Sequence, residues 1–309
     1  MLDWGVAKKR RILPRHQRVK HPPRMRLTER DIRVVLAVHE HRTLRADQVQ
    51  RLFFPSRNTA NERLKRLYQH RFVQRRWLPV EYGRGMGQAI YLLGRRGADL
   101  VAEQQGIEVE AVGWRGARNR VGALFLEHHL MLNDVRIALT QAAKTVGYLV
   151  ETWVEDEAFR AKADHVYVQA GRSGRQRVAI IPDAYCVVNQ GDKRAHFFVE
   201  VDRATLSGRR WRQRVRAYLA YTLGGGYTRR FRTRSLRILT VTTSDKRLTN
   251  LRRATEEAGG GSLFWFSTCD RLESADALQS PIWQVAGQSA MTALEERRRS
   301  EPPARRVTL

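Results

Sequence analysis

Three acidic side chains occupy positions from which strand geometry would bring them together. Asp183 follows Pro182 at the start of one predicted strand, and Glu200 and Asp202 lie on a later one at 195–202. Because side chains alternate along a strand, Glu200 and Asp202 share a face, and pairing of the two strands brings Asp183 beside them. Converging carboxylates repel one another, and a hard divalent cation such as Mg²⁺ relieves that repulsion. A cation there would orient water and neutralise charge during phosphodiester cleavage.

The same acidic residues also have a plainer interpretation. Asp183 would be a turn residue after Pro182, and Glu200, Asp202 and Arg203 would form an ion cluster at the surface. The residue types of these two strands are equally compatible with a metal site and with structural ion pairs.

A long helix predicted at 123–144 carries further polar residues in an apolar background. Glu127 and Asp134 are seven residues apart and therefore lie on one face, and His129 and Asn133 are neighbours at a spacing of four. We predict Glu127 as a further metal ligand and His129, Asn133 and Asp134 as accessory residues. Helix-surface polar residues with internal hydrogen bonds are the alternative. Zinc is not indicated, because no cysteine lies at ligand spacing.

A basic helix predicted at 209–223 follows the acidic strands. Trp211, Val215 and Tyr218 fall on its inner face, whereas Arg210 and Arg214 lie four residues apart on another side. A solvated basic face is the default interpretation of such a helix. Beside a carboxylate cluster, the same arginines form a candidate clamp for phosphate groups.

The composition points to a polyanionic partner. The chain of 309 residues has 57 Lys and Arg against 31 Asp and Glu, a formal net charge of +26. Such an excess predicts binding to nucleic acid, double-stranded DNA first, with an acidic membrane surface as a weaker candidate. No apolar run approaches the roughly 18 residues of a transmembrane helix, and no secretory signal pattern opens the chain. We therefore expect a cytoplasmic protein without a membrane partner, in which Cys186 and Cys269 are buried thiols.

The sequence divides into four predicted segments. A disordered basic arm covers 1–26, a winged helix-turn-helix domain covers 27–112, a mixed α/β (α+β) domain covers 120–285, and a polar tail covers 286–309. In the second segment, three helices precede a hairpin whose glycine-rich turn is basic, which is the order of a winged helix. Its third helix and the turn provide the predicted DNA contacts: Arg57, Asn58, Asn61, Arg63, Lys65 and Arg84.

Between Leu27 and Trp283 the chain resembles the replication-relaxation family of bacterial plasmids and integrative elements. The resemblance rests on the winged-helix start and on the runs at 127–135, 182–184, 198–205 and 237–243. It implies a role in replication or mobilisation, with plasmid replication or transfer proteins as partners. It also implies a C-terminal domain similar to restriction endonucleases of the PD-(D/E)xK type, in which Asp183 and Glu200 correspond to the two acidic ligands.

The chain departs from that nuclease pattern at one residue. Asp202 stands where the lysine is expected, and Arg214 or a neighbour occupies the helix position where relatives often carry a basic residue. Arginine stays protonated and cannot act as a general base. Three functions therefore remain open. The first is a mobile-element protein that binds duplex DNA in replication or mobilisation, with Mg²⁺-dependent nicking by Asp183, Glu200, Asp202 and Arg214 as a candidate activity. The second is a non-catalytic DNA-binding regulator or replication initiator with a degenerate nuclease fold, and the third, more distant, is an RNA-binding or membrane-adsorbing basic protein.

Overall fold

A computed structural model describes residues 17–78, 87–116, 122–170, 174–191 and 193–295. The contacts between residues divide the chain into two compact units, Met1–Leu130 and Met131–Leu309, whereas the sequence placed the joint at 113–120. None of the helices within the described ranges is long and apolar enough to cross a bilayer.

Within the described residues, the first unit combines four whole helices and the start of a fifth with a small antiparallel sheet, in which β3 lies between β1 and β2. Its elements are α1 (Glu29–Glu40), β1 (Thr43–Arg45), α2 (Ala46–Phe53), α3 (Arg57–Gln69), β2 (Val73–Trp77), β3 (Ala89–Leu93) and α4 (Arg95–Gln105). The three predicted helices and the two hairpin strands are present at the predicted places. The sequence missed β1, which is only three residues long.

Local sequence explains how the helices of this unit begin. The side chain of Thr28 caps α1 by accepting from the Asp31 backbone N–H, and the Asp31 carboxylate accepts from the Thr28 backbone N–H in return. At α4 the packing is tight, since a Cβ on Gly97 would stand 2.1 Å from the carbonyl oxygen of Phe72. Only glycine fits at that contact between the helix and the preceding backbone.

Residues 17–26, which the sequence assigned to a disordered arm, contact the rest of the first unit. The Arg18 guanidinium donates to the carbonyl oxygens of Tyr68, at 2.8 Å, and Val73, and it lies 4.2 Å from the centre of the Tyr68 ring. Further along, His70 Nε2 bonds the carbonyl oxygen of Pro23 at 2.9 Å. These contacts tie the segment to the end of α3, and composition alone did not indicate them. Residues 1–16 lie outside the described part of the chain.

The second unit is built on a seven-stranded mixed sheet in the order β12-β11-β10-β9-β8-β7-β4. Its strands are β4 (Leu149–Glu155), β5 (Asp164–Ala170), β6 (Gly174–Ile180), β7 (Ala184–Gln190), β8 (Lys193–Asp202), β9 (Arg237–Thr242), β10 (Phe264–Thr268), β11 (Trp283–Val285) and β12 (Met291–Thr292). The pairs β8–β9 and β9–β10 are parallel and the other pairs in this sheet are antiparallel. The hairpin β5–β6 forms a separate two-stranded sheet.

Helices cover both faces of the large sheet. The helices are α5 (Ala123–Thr145), α6 (Asp156–Ala161), α7 (Gly208–Leu223), α8 (Gly226–Phe231), α9 (Asp245–Glu257) and α10 (Cys269–Ser274). Residues 131–143 of α5 pack with Val199 and Val201 of β8, whereas Trp211 and Tyr218 of α7 pack with Phe198 on the opposite face. The predicted mixed α+β fold with a large mixed sheet is therefore confirmed.

Two parts of the second unit differ from the sequence prediction. The sequence assigned no strand to 164–170, and β6 pairs with that strand rather than joining the large sheet. The segment 286–295, assigned to a polar tail from the sequence, contains the buried Leu294, and Tyr148 donates a hydrogen bond to Glu295. The rest of the predicted tail, 296–309, lies outside the described residues. Of the two cysteines, Cys186 is buried as predicted, Cys269 is half-buried, and no disulfide joins them.

Candidate functional site

Asp183 lies immediately before β7 and reaches across to the neighbouring strand. The register pairs Ala184 with Val199, and Asp183 Oδ2 accepts a hydrogen bond of 2.8 Å from the backbone N–H of Val201. The carboxylate is thus held beside Glu200 of β8, as expected for two adjacent strands. The hydrogen bond also gives Asp183 a structural part in the hairpin.

Glu200 is enclosed between the sheet and α7. Its side chain is 2% exposed, and its two carboxylate oxygens accept from Arg214 and from the hydroxyl of Tyr218. Glu200, followed by Tyr218 and Asp183, raises the pKa of Arg214 against the opposing effect of burial. Burial, followed by the charge of Glu200, raises the pKa of Tyr218 well above its usual value. Both partners therefore hold their protons and donate to Glu200 across the physiological range.

Asp202 lies on the same face of β8, as the alternation predicted, and it is paired with α9. Arg247 donates from Nε to Oδ2 at 2.6 Å and from its second nitrogen to Oδ1 at 3.0 Å. The backbone N–H of Ala204 and the hydroxyl of Thr242 also donate to Oδ2, at 3.1 and 3.3 Å. The residue that replaces the expected lysine is thus the acceptor of a two-point arginine pair, which is a strong and directional contact.

The arrangement does not fit the Mg²⁺ site predicted from the sequence. The oxygens of Glu200 and Asp202 accept from different arginines on different helices, and Asp183 accepts from the backbone. Within the described residues, no group of three or more His, Cys, Asp or Glu side chains is placed to hold a metal ion. Arginine therefore supplies the positive charge that these carboxylates require.

The other residues predicted for this site lie on α5, which crosses the boundary between the two units. Glu127 and His129 belong to the first unit, where the His129 ring stacks on Phe125 with centroids 5.8 Å apart. Asn133 is fully buried and Asp134 is half-buried, both in the second unit.

A cavity of about 400 Å³ lined by basic residues lies beside the ion pair of Glu200 and Arg214. Asp183, Arg210, Gln213, Arg214 and Tyr218 contribute to its walls, together with Arg160 of α6. The Arg214 side chain is 38% exposed, so its guanidinium contacts both the buried carboxylate and the cavity. Two of the three lining arginines are already paired, Arg160 with Asp156 at 2.9 Å and Arg214 with Glu200. Their remaining N–H groups, with those of Arg210, are donors of the kind that bind phosphate oxygens.

The predicted DNA contacts of the first unit divide into two kinds. Arg57, Asn58, Asn61 and Lys65 are exposed on α3, opposite the buried Ala60 and Leu64. Arg63 instead donates to the buried carboxylate of Asp31, from Nε to Oδ1 at 2.9 Å, and so joins α3 to the start of α1. Arg84 lies outside the described residues.

Sequence reasoning missed Arg160 and Arg247. Arg247 lies 45 positions after Asp202 and on a different element, so no local spacing connects the two. The signal that was available is the start of α9, where Ser244 caps the helix by accepting from the Arg247 backbone N–H. That cap places Arg247 in the first turn but does not say which way its side chain points.

Comparison with known proteins gives a broad match to a family model and a weak similarity to a solved structure. A family model described as Replication-relaxation matches residues 36–234, more than half of the chain. A comparison with curated proteins finds no match. Among solved structures, the one titled as the restriction endonuclease FokI is 10% identical with a TM-score of 0.26, over 79% of this chain and 42% of that chain. The chain thus spans less than half of that protein, and a score this low does not establish a shared fold.

Proposed function

The chain belongs to the replication-relaxation family, and on that premise we propose that it binds double-stranded DNA during replication or mobilisation of a plasmid or other mobile element. In this proposal it acts in the cytoplasm as a DNA-holding regulator or initiator. The net charge of +26 supports a polyanionic partner.

The exposed face of α3 is the observation that carries the proposal. The order α1-β1-α2-α3-β2-β3 is the order of a winged helix, in which the third helix enters the major groove. The α3 face offers Asn58 and Asn61, whose amides suit the edge of adenine, beside Arg57 and Lys65 for guanine or phosphate. We propose that this helix reads the DNA sequence.

The basic cavity of the second unit supports a holding role rather than cutting. Arg214 is anchored by Glu200 and faces the cavity that Arg160 and Arg210 also line. An arginine fixed by a buried carboxylate is oriented before a phosphate arrives, which lowers the entropic cost of binding. We propose that these arginines grip the DNA backbone, and that the acidic residues serve to orient them.

Binding to a library of DNA duplexes tests the role of α3. The double variant Asn58→Ala, Asn61→Ala should lose sequence preference at a cost of about 1–3 kcal/mol per base contact, while a nonspecific salt-dependent affinity remains. Asn250→Ala is the matched control, because Asn250 is an exposed asparagine on helix α9. An unchanged preference in the double variant would assign α3 to some other contact.

Cleavage is the alternative function, and a plasmid assay separates it from holding. Supercoiled plasmid is incubated with the purified chain and Mg²⁺, Mn²⁺ or EDTA, and nicked and linear products are resolved. The holding role predicts retarded plasmid without metal-dependent nicks. Nicks that need a divalent ion and disappear in Asp183→Ala would restore the endonuclease alternative.

A further inference from the structure

A second cavity, of about 740 Å³, lies between the hairpin β5–β6 and the turn that joins α7 to α8. It is distinct from the cavity above Glu200. Lys162, His165, Tyr167, Arg229 and Arg230 contribute to its wall, together with Asp164. Its volume is within the usual range for sites that hold a small organic ligand.

The charge of the Asp164 carboxylate in this cavity is compensated by contacts within the protein. Asp164 accepts from the hydroxyl of Tyr221 and from Arg230 at 3.1 Å, and Arg230 also donates to the carbonyl oxygen of Lys162 at 2.9 Å. Burial would raise the pKa of Asp164, but the bonds from Tyr221 and Arg230 outweigh it, so the pKa lies below its usual value. The ionised carboxylate fixes Arg230, and the remaining charge at the wall is positive.

The glycine turn at the wall of this cavity packs closely on α7. Gly225 has φ +72°, a conformation that favours glycine, and a Cβ on Gly226 would stand 2.5 Å from the Tyr221 ring. Arg229 donates to the carbonyl oxygen of Gly224 at 3.1 Å, which holds its exposed side chain over the turn. The exposed Lys162 lies at the wall of the same cavity.

An exposed aromatic ring completes the set of groups. Tyr167 is 66% exposed on β5, where it shares a face with the exposed His165, while Val168 on the opposite face is buried in the core. A large ring left in solvent beside cationic groups is typical of surfaces that stack nucleic-acid bases and bind their phosphates.

We propose that this cavity binds a nucleoside phosphate, with the base stacked on Tyr167 and the phosphate held by Lys162 and Arg229. The ligand is either a free nucleotide or one nucleotide of a single DNA strand, since both present the same base and phosphate. The site goes beyond the duplex binding proposed for α3 and does not depend on it.

Two probes titrated against the full chain test this site. Binding of ADP is measured by calorimetry, and binding of a short 5′-labelled oligothymidylate is measured by fluorescence anisotropy. Tyr167→Ala should weaken binding about tenfold, whereas Tyr167→Phe keeps the ring and should bind as the wild type does. If both probes bind, a free nucleotide is sufficient to occupy the cavity. If only the oligonucleotide binds, the ligand of the cavity is a nucleotide within a single DNA strand.

Charge variants and the duplex assay provide the controls. Arg229→Ala should weaken binding of the probe, and Arg253→Ala should not, because Arg253 is an arginine of α9 that is 71% exposed and does not line the cavity. Equal losses in both variants would mean general attraction to a basic surface and would overturn the proposal. So would failure of both probes to bind, or wild-type affinity in Tyr167→Ala. Duplex affinity should stay unchanged in Tyr167→Ala, which separates this test from that of α3.

Discussion

The Arg247 guanidinium and the Asp202 carboxylate form a two-point pair, with N–O distances of 2.6 and 3.0 Å. Asp202 is 5% exposed and Arg247 is 18% exposed, so the pair is largely shielded from water. The pairing joins β8 to the first turn of α9. The charge of this acidic residue is thus matched by an arginine from another element.

Breaking this pair should destabilise the second unit. Arg247→Ala leaves a shielded carboxylate without its cation and should lower the free energy of unfolding by about 3–5 kcal/mol. Asp202→Lys would place two cations together and should cost at least as much. Urea unfolding measures both. Arg253→Ala on the same helix is the control, and its change should stay within about 0.5 kcal/mol. An Arg247→Ala variant with a nearly unchanged free energy of unfolding would show that the hydrogen bonds from Thr242 and the backbone are sufficient to stabilise the Asp202 carboxylate.

Strand alternation was enough to predict which face of β8 carries the acidic residues. Glu200 and Asp202 do share a face with Phe198, and the packing of α7 and α9 on that face buries all three. The partners of the carboxylates could not be predicted in the same way. Repulsion between carboxylates requires a positive charge, but the sequence does not distinguish a metal ion from Arg214 and Arg247, which reach the site from other elements.

The missed and misjudged segments have different physical reasons. In β5, Val166 and Val168 alternate with polar residues and Tyr167, so a strand signal was present and could have been used. The docking of Arg18 had no such signal, because it depends on backbone carbonyl oxygens at Tyr68 and Val73 that any sequence would offer.

The pairing of Asp31 with Arg63 should make the first unit sensitive to acid. Burial alone would raise the pKa of Asp31, but hydrogen bonds from Arg63 and Thr28 outweigh it, and the pKa lies below its usual value. A lowered pKa stabilises the fold above the unfolded pKa of about 3.9, and this contribution is lost as the pH falls through the folded pKa. Asp31→Asn should therefore destabilise by about 1–3 kcal/mol at neutral pH, and the difference should shrink in acid.

Hydrogen exchange of the α1 amides at several pH values measures that loss in the full chain. Asp99→Asn is the matched control, because Asp99 pairs with Arg95 on α4 at 3.7 Å but is 52% exposed. Exposed pairs contribute little to stability, so this variant should behave as the wild type does. A difference for Asp31→Asn that persists undiminished below about pH 3 would contradict the assignment of the effect to the ionised carboxylate.

Two truncations separate the structural and electrostatic parts of the N-terminal segment. Deleting residues 1–16, with their excess of Lys and Arg, should weaken DNA binding and make the dependence of log affinity on log salt shallower. Deleting 1–26 also removes the Arg18 contacts with Tyr68 and Val73 and should lower the stability of the first unit by about 1–3 kcal/mol. Arg18→Ala in the full chain should reproduce the loss of stability without the change in salt dependence. Equal stabilities for both truncations would mean that these contacts contribute nothing.

Removing Arg214 should convert the carboxylate cluster into a better cation site. Glu200 is 2% exposed, and the charges of Glu200 and Asp183 both raise the pKa of Arg214. The variant Arg214→Ala therefore removes a positive charge that interacts with both carboxylates. A divalent ion then gains the attraction that the guanidinium supplied. We expect Mn²⁺, titrated by calorimetry, to bind Arg214→Ala at least about tenfold more tightly than the wild type, a difference of about 1.4 kcal/mol. Arg212→Ala is the control, because Arg212 pairs with Glu257 at 3.3 Å instead. Equal Mn²⁺ affinities in wild type and Arg214→Ala would show that the carboxylates are not directed toward a common ion even when the arginine is gone.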